Sequence, residues 1–138
     1  EHNFEVKFIH VTEDGPRSTP TGFEYFHRPT VCRHCDDPPC AEVCPEGALS
    51  KREDGIVLLD AEACTGCGSC VEACPYDAIR FDDEKGKALK CNLCNHRIDK
   101  GLIPACADNV CLAHCIHFGD PSVIKEEMAR RKLKRQTR

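Results

Sequence analysis

The stretch that decides the fold is residues 64–75, Cys64-Thr65-Gly66-Cys67-Gly68-Ser69-Cys70-Val71-Glu72-Ala73-Cys74-Pro75. Three cysteines stand two residues apart, and a fourth cysteine and a proline follow after three more residues. A related run precedes this one, in the order Cys32-x2-Cys35-x4-Cys40-x3-Cys44-Pro45. Four thiols and a closing Cys-Pro therefore occur twice, which indicates an internal repeat of about 30 residues.

The number and spacing of the cysteines indicate that bound metal, rather than disulfides, stabilises the fold in addition to hydrophobic burial. Thirteen of the 138 residues are cysteine, and with 41% hydrophobic residues, cysteines included, the apolar core is modest. An odd number of cysteines bunched as Cys-x-x-Cys pairs is typical of metal sites, whereas a secreted disulfide scaffold usually has an even number. The same composition excludes a large enzyme with its own substrate domain.

The second run has the ligand spacing of a bacterial 4Fe-4S cluster. In that arrangement three close cysteines bind one cluster, and the fourth ligates the other cluster of a two-cluster protein. Zinc is the weaker alternative, because a zinc ribbon gives no reason for the third close cysteine or for the Cys-Pro in both runs. The expected ligands are Cys32, Cys35, Cys40 and Cys74 for cluster A, and Cys64, Cys67, Cys70 and Cys44 for cluster B.

A third, less regular group consists of Cys91, Cys94, Cys106, Cys111 and Cys115. It predicts a third 4Fe-4S cluster on the first three of these cysteines, with either Cys111 or Cys115 as the fourth ligand. A zinc site that includes His96 or His114 is the alternative. Lys90 and Arg97 flank the group, either to raise its potential or as solvated surface charges. We expect surface or packing roles for His2, His10, His27, His34 and His117.

Local patterns predict short elements between the cysteine runs. Residues 4–11 alternate as a half-buried strand, and the glycines and prolines of residues 12–22 indicate a loop. Hairpins are expected around Asp54-Gly55 and within residues 78–89. A helical turn should follow the last cysteine of each run, with Pro45 or Pro75 at its start.

The predicted fold class is α+β: a bacterial-type, ferredoxin-like two-repeat cluster domain with an additional cluster-binding segment, short hairpins and a helical C-terminal tail. Residues 1–30 should form a strand and loop packed on the core, residues 31–120 the 4Fe-4S domain, and residues 121–138 a basic helix that begins at Pro121. The apolar side of that helix would comprise Val123, Ile124, Met128 and Leu133.

Charge and hydropathy limit the partners. The net charge is −4, yet residues 129–138 carry six basic side chains and no acid, so the other 128 residues sum to −10. An acidic body disfavours nucleic acid as a main partner. No apolar run is long enough to span a membrane, and no signal-peptide pattern is present, although the lack of an initial Met leaves room for a segment upstream of Glu1. Because clusters require reduced thiols, a cytoplasmic location is expected, and export together with a signal-bearing partner is the alternative.

Four motifs in order carry a family resemblance, followed by Phe118-Gly119-Asp120. They are the two cysteine runs, the hairpin at 51–57, and Lys90-Cys91-x2-Cys94-x2-Arg97-x3-Gly101-Leu102-x-Pro104-Ala105-Cys106. Over residues 30–120 the chain resembles the iron-sulfur subunits of the dimethyl sulfoxide reductase type. Similar subunits serve hydrogenases, formate dehydrogenases and tungsten-containing enzymes of the aldehyde oxidoreductase type.

The chain departs from this family pattern at both ends of the motif series. Such subunits usually begin with a further four-cysteine run and hold four clusters, but no run precedes Cys32. One extra residue separates Cys106 from Cys111, no proline follows Cys111, and Cys115 is additional. The resemblance then implies three clusters, as in the electron-transfer subunit of class II benzoyl-CoA reductase.

The expected function is single-electron transfer rather than catalysis, because a cluster held by four cysteines has no open iron site for a substrate. The resemblance implies a larger catalytic subunit, with molybdenum or tungsten, and a second redox subunit or soluble carrier. A stand-alone soluble ferredoxin is the first alternative. A zinc-stabilised interaction module is the second.

Overall fold

The computed structural model describes residues 7–111 and 115–136. The chain divides into two compact units, Glu1–Leu93 and Cys94–Arg138. In the N-terminal unit the described elements are β1 Ile9–Thr19, β2 Gly22–Val31, α1 Pro39–Glu42, β3 Leu49–Lys51, β4 Val57–Leu59, α2 Ser69–Glu72, β5 Ile79–Asp82 and β6 Lys87–Lys90. The division at Leu93 falls within the predicted 31–120 domain, whose boundaries stay a prediction.

Two short hairpins repeat the same design. Strands β3 and β4 pair antiparallel with Leu49 opposite Leu59, and β5 and β6 pair antiparallel with Ile79 opposite Lys90. The turn between β3 and β4 contains Asp54 and Gly55, where Gly55 has φ +87°. Both predicted hairpins are confirmed. Because Leu49 and Ile79 each lie five residues after the last cysteine of their run, the two hairpins are equivalent parts of the repeat.

The helical turns lie before the last cysteine of each run, not after it as predicted. Helices α1 and α2 contain the third cysteines, Cys40 and Cys70, and end at Glu42 and Glu72. The residue before a proline is disfavoured in helical geometry, so each helix must end ahead of its Cys-Pro. Helix α1 instead begins at Pro39, where the missing N–H costs nothing.

The core of the N-terminal unit is small and includes thiols. Its buried hydrophobic residues are Cys40, Ala48, Leu49, Ile56, Val57, Cys70, Ala78, Ile79 and Ala88. They come from the inward face of both hairpins and from the two helical turns, and Cys44, Cys64 and Cys74 pack against them partly buried. Hydrophobic burial by so few side chains stabilises a domain only weakly. The cysteines thus stand where a larger domain would have aliphatic side chains.

The first hairpin differs from the sequence expectation. Strands β1 and β2 pair antiparallel from Ile9 opposite Val31 to Thr19 opposite Gly22, so the loop predicted at residues 12–22 is wrong. The pairing shifts between Asp14 and Arg17, which is where Gly15 and Pro16 stand. Glycine and proline are tolerated in a strand at such an irregularity, and they conceal the strand from a pattern analysis.

The predicted half-buried strand at residues 4–11 is only partly described, since residues 4–6 lie outside the described residues. Residues 9–11 are in a strand, but Phe8, one of the alternating apolar residues expected on the buried face, is 39% exposed, so the expected burial is wrong there. Hydrogen bonds join this hairpin to the second repeat, where the Arg80 guanidinium donates to His10 Nε2 from Nε at 2.8 Å and from Nη2 at 2.6 Å.

The C-terminal unit contains α3 Asn95–Ile98, a π-helical turn Cys106–Val110 and α4 Pro121–Gln136. The helix predicted from Pro121 is confirmed as far as Gln136, and residues 137–138 lie outside the described residues. Hydrogen bonds from the hydroxyl and N–H of Ser122 lower the pKa of Asp120 at the start of α4. On the predicted apolar side Val123 and Met128 are exposed, and nothing is described of the Leu133 side chain. In the described part of the chain, no helix has the length and apolar character to cross a membrane.

Candidate metal centres

The first cysteine set surrounds one cavity in the N-terminal unit. Cys32, Cys35, Cys40 and Cys74 all line this cavity. Cys32 follows the end of β2, Cys40 lies in α1, and Cys74 comes two residues after the end of α2. Three thiols therefore come from the first run and one from the second.

The second set surrounds another cavity in the same unit. Cys44, Cys64, Cys67 and Cys70 all line this second cavity. Cys70 lies in α2, and Cys44 follows α1 from the other run. The structure thus brings together the same two groups of four that the sequence predicts, with the last cysteine of each run turned to the neighbouring site.

Electrostatic interactions within each set follow the same grouping. Burial raises the pKa of Cys40, and the charges of Cys32 and Cys74 raise it further, whereas Lys90 opposes them. Burial also raises the pKa of Cys70, with added contributions from Cys64, Cys67 and Cys44. Four thiolates facing one cavity repel one another. Such a set is stable only around a positive centre.

The donor set fits an iron-sulfur cluster. Four cysteine thiolates are the usual ligands of a 4Fe-4S cluster. The N–H of Ala78 donates to Cys74 Sγ at 3.4 Å, the kind of bond that tunes cluster thiolates. In residues 7–111 and 115–136, no three His, Cys, Asp or Glu side chains are placed to hold a single metal ion.

Equivalent loop positions in the two runs carry His34 and Gly66, and both have positive φ, +46° and +76°. The His34 ring accepts the N–H of Val57 at Nδ1, at 3.0 Å. Burial, with the nearby charge of Lys90, lowers the pKa of His34 to about 4, so the ring is neutral at pH 7. This agrees with the packing role predicted for His34.

Gly66 is required by its neighbour across the unit. A Cβ on Gly66 would stand 2.0 Å from the Gly86 carbonyl oxygen, in the turn between β5 and β6. At Gly68, φ is +77° but no atom lies within 4 Å of such a Cβ. The cysteine loop of the second run is therefore packed directly on the backbone of the second hairpin, and a side chain at position 66 would separate them.

Lys90 and Arg97 have different surroundings from those predicted. Lys90 is half-buried, lines the first cavity and donates from Nζ to the carbonyls of Val57 at 2.5 Å and Cys91 at 2.9 Å. It is not a solvated surface charge, and it faces the Cys32 set. In the C-terminal unit, Arg97 donates to the Ile103 carbonyl at 2.9 Å and pairs with Asp108.

The third cysteine group divides between the two units. In the N-terminal unit, Cys91 Sγ accepts the N–H of Leu93 at 3.3 Å. In the C-terminal unit, burial raises the pKa of Cys106, and the charges of Cys94 and Cys111 add to it. The sulfurs of Cys111 and Cys115 lie 3.4 Å apart. His96 lies in α3, and His114 lies outside the described residues. The third cluster stays a prediction.

Two cavity-lining groups were missed by the sequence analysis. The Arg33 guanidinium stacks over the Tyr76 ring, 4.3 Å from its centroid, and both residues line the first cavity. Glu46 lines the second cavity. A superposition of the two runs would have identified them, because Tyr76 and Glu46 are each the second residue after the last cysteine of their run.

Comparison with known proteins gives a family and several relatives. The sequence profile described as a 4Fe-4S dicluster domain matches residues 23–121. The tetrathionate reductase B subunit of Salmonella typhimurium is 49% identical over 92 residues, 67% of this chain and 36% of that protein. The anaerobic dimethyl sulfoxide reductase B subunit of Escherichia coli is 44% identical over 88 residues, 64% of this chain and 42% of that protein.

A third relative has a comparable sequence identity to this chain. The tetrathionate reductase B subunit of Archaeoglobus fulgidus is 53% identical over 74 residues, 54% of this chain and 36% of that protein. In each of these three matches the chain spans less than half the length of its relative.

Proposed function

The chain is a member of the 4Fe-4S dicluster domain family, and we propose that it is a non-catalytic electron-transfer subunit of an oxidoreductase complex. The observation that carries the proposal is that four thiols, three from one run and one from the other, surround each of two cavities in the N-terminal unit. Similarity to the B subunits of tetrathionate reductase and of dimethyl sulfoxide reductase supports the assignment.

Under this proposal Cys32, Cys35, Cys40 and Cys74 hold cluster A, and Cys64, Cys67, Cys70 and Cys44 hold cluster B. Bound clusters supply one-electron redox chemistry at potentials set by their surroundings. The chain supplies the thiolates, the apolar walls formed by residues such as Ile79 and Leu49, and backbone N–H groups directed at sulfur. With all four ligand positions taken by cysteine, no iron is left for a substrate.

A third cluster completes the proposal. Its ligands would be Cys91, Cys94 and Cys106, with Cys111 or Cys115 as the fourth. Support within the C-terminal unit comes from the charges of Cys94 and Cys111, which add to the raised pKa of Cys106, and from the 3.4 Å separation of the Cys111 and Cys115 sulfurs. The chain would then carry three 4Fe-4S clusters.

The partners are inferred from the family. We propose a larger catalytic subunit with molybdenum or tungsten, and a second redox subunit or soluble carrier that exchanges electrons with the same clusters. The acidic body is consistent with protein partners rather than nucleic acid. A cytoplasmic location remains part of the proposal.

Anaerobic purification of the native protein tests these assignments. Iron and acid-labile sulfide should reach about twelve of each per chain for three clusters, and about eight would limit the chain to two. A large catalytic chain should co-purify. Isolation of the chain alone would favour a stand-alone ferredoxin, and zinc without sulfide would favour an interaction module.

Two single variants test the exchange of ligands between runs. Cys74→Ala should remove the signal of cluster A and keep that of cluster B in electron paramagnetic resonance of the reduced protein, and Cys44→Ala should do the reverse. Each variant is the control for the other. If Cys74→Ala removed the signal of cluster B and Cys44→Ala removed that of cluster A, each cluster would be bound by one run alone. That result would contradict the ligand sets.

A further inference from the structure

The repeat places equivalent positions around both cavities, and charge differs at three of them. Because Leu49 pairs with Leu59 and Ile79 pairs with Lys90, Lys90 occupies in the second hairpin the position of Leu59 in the first. Lys90 lines the first cavity, and Leu59 lines the second. The same equivalence relates Arg33 to Thr65 and Tyr76 to Glu46.

The lining of the two cavities is therefore of opposite charge. Among the described residues, the first cavity is lined by two cations, Arg33 and Lys90, and by no acid. The second is lined by one acid, Glu46, and by no cation. In their apolar part the walls are matched, with Ala78 and Ile79 in the first cavity where the second has Ala48 and Leu49.

Lys90 contributes most to this difference. Its side chain is half-buried and held by two carbonyls, and its charge acts on both Cys40 and His34. Arg33 and Glu46 are exposed, so water and salt screen them more strongly.

We propose that Lys90 and Arg33 beside cluster A, together with Glu46 beside cluster B, give cluster A a higher reduction potential than cluster B, so that a single electron shared by the two rests on cluster A. This inference rests on the proposed function, because it needs both clusters in place. Lys90 does not ligate iron and acts on cluster A only through its charge.

The physical reason is the charge of the reduced state. One-electron reduction adds a negative charge to a cluster whose thiolate ligands already make it anionic, with no bond made or broken. A fixed cation nearby stabilises the reduced form more than the oxidised form, and an anion does the opposite. The redox partner supplies the electron, and the cluster passes it on to the next acceptor.

A potentiometric titration of the purified complex, followed by electron paramagnetic resonance, tests the inference. Lys90→Leu installs the residue that stands at the equivalent position of the second cavity. It should lower the potential of cluster A and shift the partition of one electron by about tenfold toward cluster B, which equals about 59 mV for a one-electron couple. Lys90→Arg keeps the charge and should retain most of the difference. Glu46→Gln should raise the potential of cluster B.

Lys87→Leu is the matched control. Lys87 lies on the same strand, also donates to a backbone carbonyl, that of Ala61, and lines neither cavity. Its loss should leave both potentials unchanged. The signals are assigned to clusters with Cys74→Ala and Cys44→Ala.

The iron and sulfide content distinguishes failure of the proposed function from failure of this inference. A protein without clusters defeats the proposed function itself. Clusters present in full, with potentials that do not respond to Lys90→Leu and Glu46→Gln, overturn the inference alone. If Lys90→Leu fails to retain cluster A, two other results can still overturn the inference. One is an unchanged potential of cluster B in Glu46→Gln, and the other is a cluster A that titrates below cluster B in the unmodified protein.

Discussion

Gly66 and His34 occupy the same place in the two cysteine runs and meet the same backbone requirement differently. Both adopt positive φ, but the His34 ring accepts the Val57 N–H, whereas Gly66 leaves room for the Gly86 carbonyl. A residue that looks like a freely variable spacer between ligands is therefore fixed by a neighbour about twenty residues away. The backbone conformation at such a position is constrained by contact with this neighbour as well as by the cysteine loop.

Gly66→Ala should destabilise the N-terminal unit strongly. The added Cβ would stand 2.0 Å from the Gly86 oxygen, so the loop or the β5–β6 turn must move. Overpacking of this kind costs about 1–3 kcal/mol, in addition to about 1–2 kcal/mol for a non-glycine residue at positive φ. Loss of visible absorption during anaerobic thermal unfolding measures the effect.

Gly68→Ala is the matched control for that variant. Its φ of +77° is nearly the same, but a Cβ there meets nothing within 4 Å. It should cost only the conformational part, about 1–2 kcal/mol. Equal losses of stability in the two variants would show that the Gly86 carbonyl imposes no constraint on position 66.

Asp82 stabilises the turn between β5 and β6. Its side chain is buried, and Oδ1 accepts the N–H groups of Glu84 at 3.1 Å and Lys85 at 3.2 Å. Asp82→Ala leaves both N–H groups without this acceptor and should destabilise the unit by about 1–3 kcal/mol. Asp83→Ala, one residue later at an exposed position, should have little effect. Denaturant unfolding under anaerobic conditions compares the two, and similar midpoints would contradict the role of Asp82.

At the scale of elements, the long β1–β2 hairpin depends on contacts outside itself. An isolated two-stranded hairpin is marginally stable in water, and most side chains of this one are exposed. Arg80 on β5 donates to His10 on β1 and is held in place by a two-point pair with Asp77, at 2.7 and 2.9 Å. The Arg80 hydrogen bonds to Asp77 also lower the pKa of that carboxyl.

Arg80→Gln should loosen the base of this hairpin without removing the clusters. Amide hydrogen exchange should rise at the paired ends of β1 and β2 around His10 and Thr30, because the contact to the second repeat is lost. Arg28→Gln, at an exposed position of β2, is the control and should leave exchange at those amides unchanged. Unaltered exchange in Arg80→Gln would indicate that the hairpin is held by other contacts.

At the scale of the whole molecule, cluster binding and folding of the N-terminal unit should be one process. Among the described residues, nine buried hydrophobic side chains, two of them cysteines, form its core, and each cavity gathers four thiols that repel one another once deprotonated. Metal sites of this kind contribute folding free energy directly.

Removal of iron by anaerobic chelation should therefore unfold β3 to β6. Hydrogen exchange should lose protection across both short hairpins, and reconstitution with iron and sulfide should restore it. A metal-depleted protein that keeps its protected amides in these strands would show that hydrophobic packing alone is sufficient.

The sequence by itself determined the two cysteine groupings, the two short hairpins and the helix from Pro121. Each of these depends on local signals: ligand spacing, a Gly-containing turn, and a proline at a helix start. The predicted position of the helical turns is wrong although the sequence carries the signal, because Pro45 and Pro75 each disfavour helical geometry at the residue before them.

Only the tertiary structure decided the β1–β2 hairpin, the close approach of Gly66 to Gly86, and the charges that face each cavity. Lys90 lies one residue from Cys91 in the sequence, yet it lines the cavity of Cys32 and Cys40. Pairing of β5 with β6 and the packing of both repeats on one core carry it there. Spacing predicts which cysteines surround the same cavity, but the electrostatic environment depends on side chains that come from distant parts of the chain.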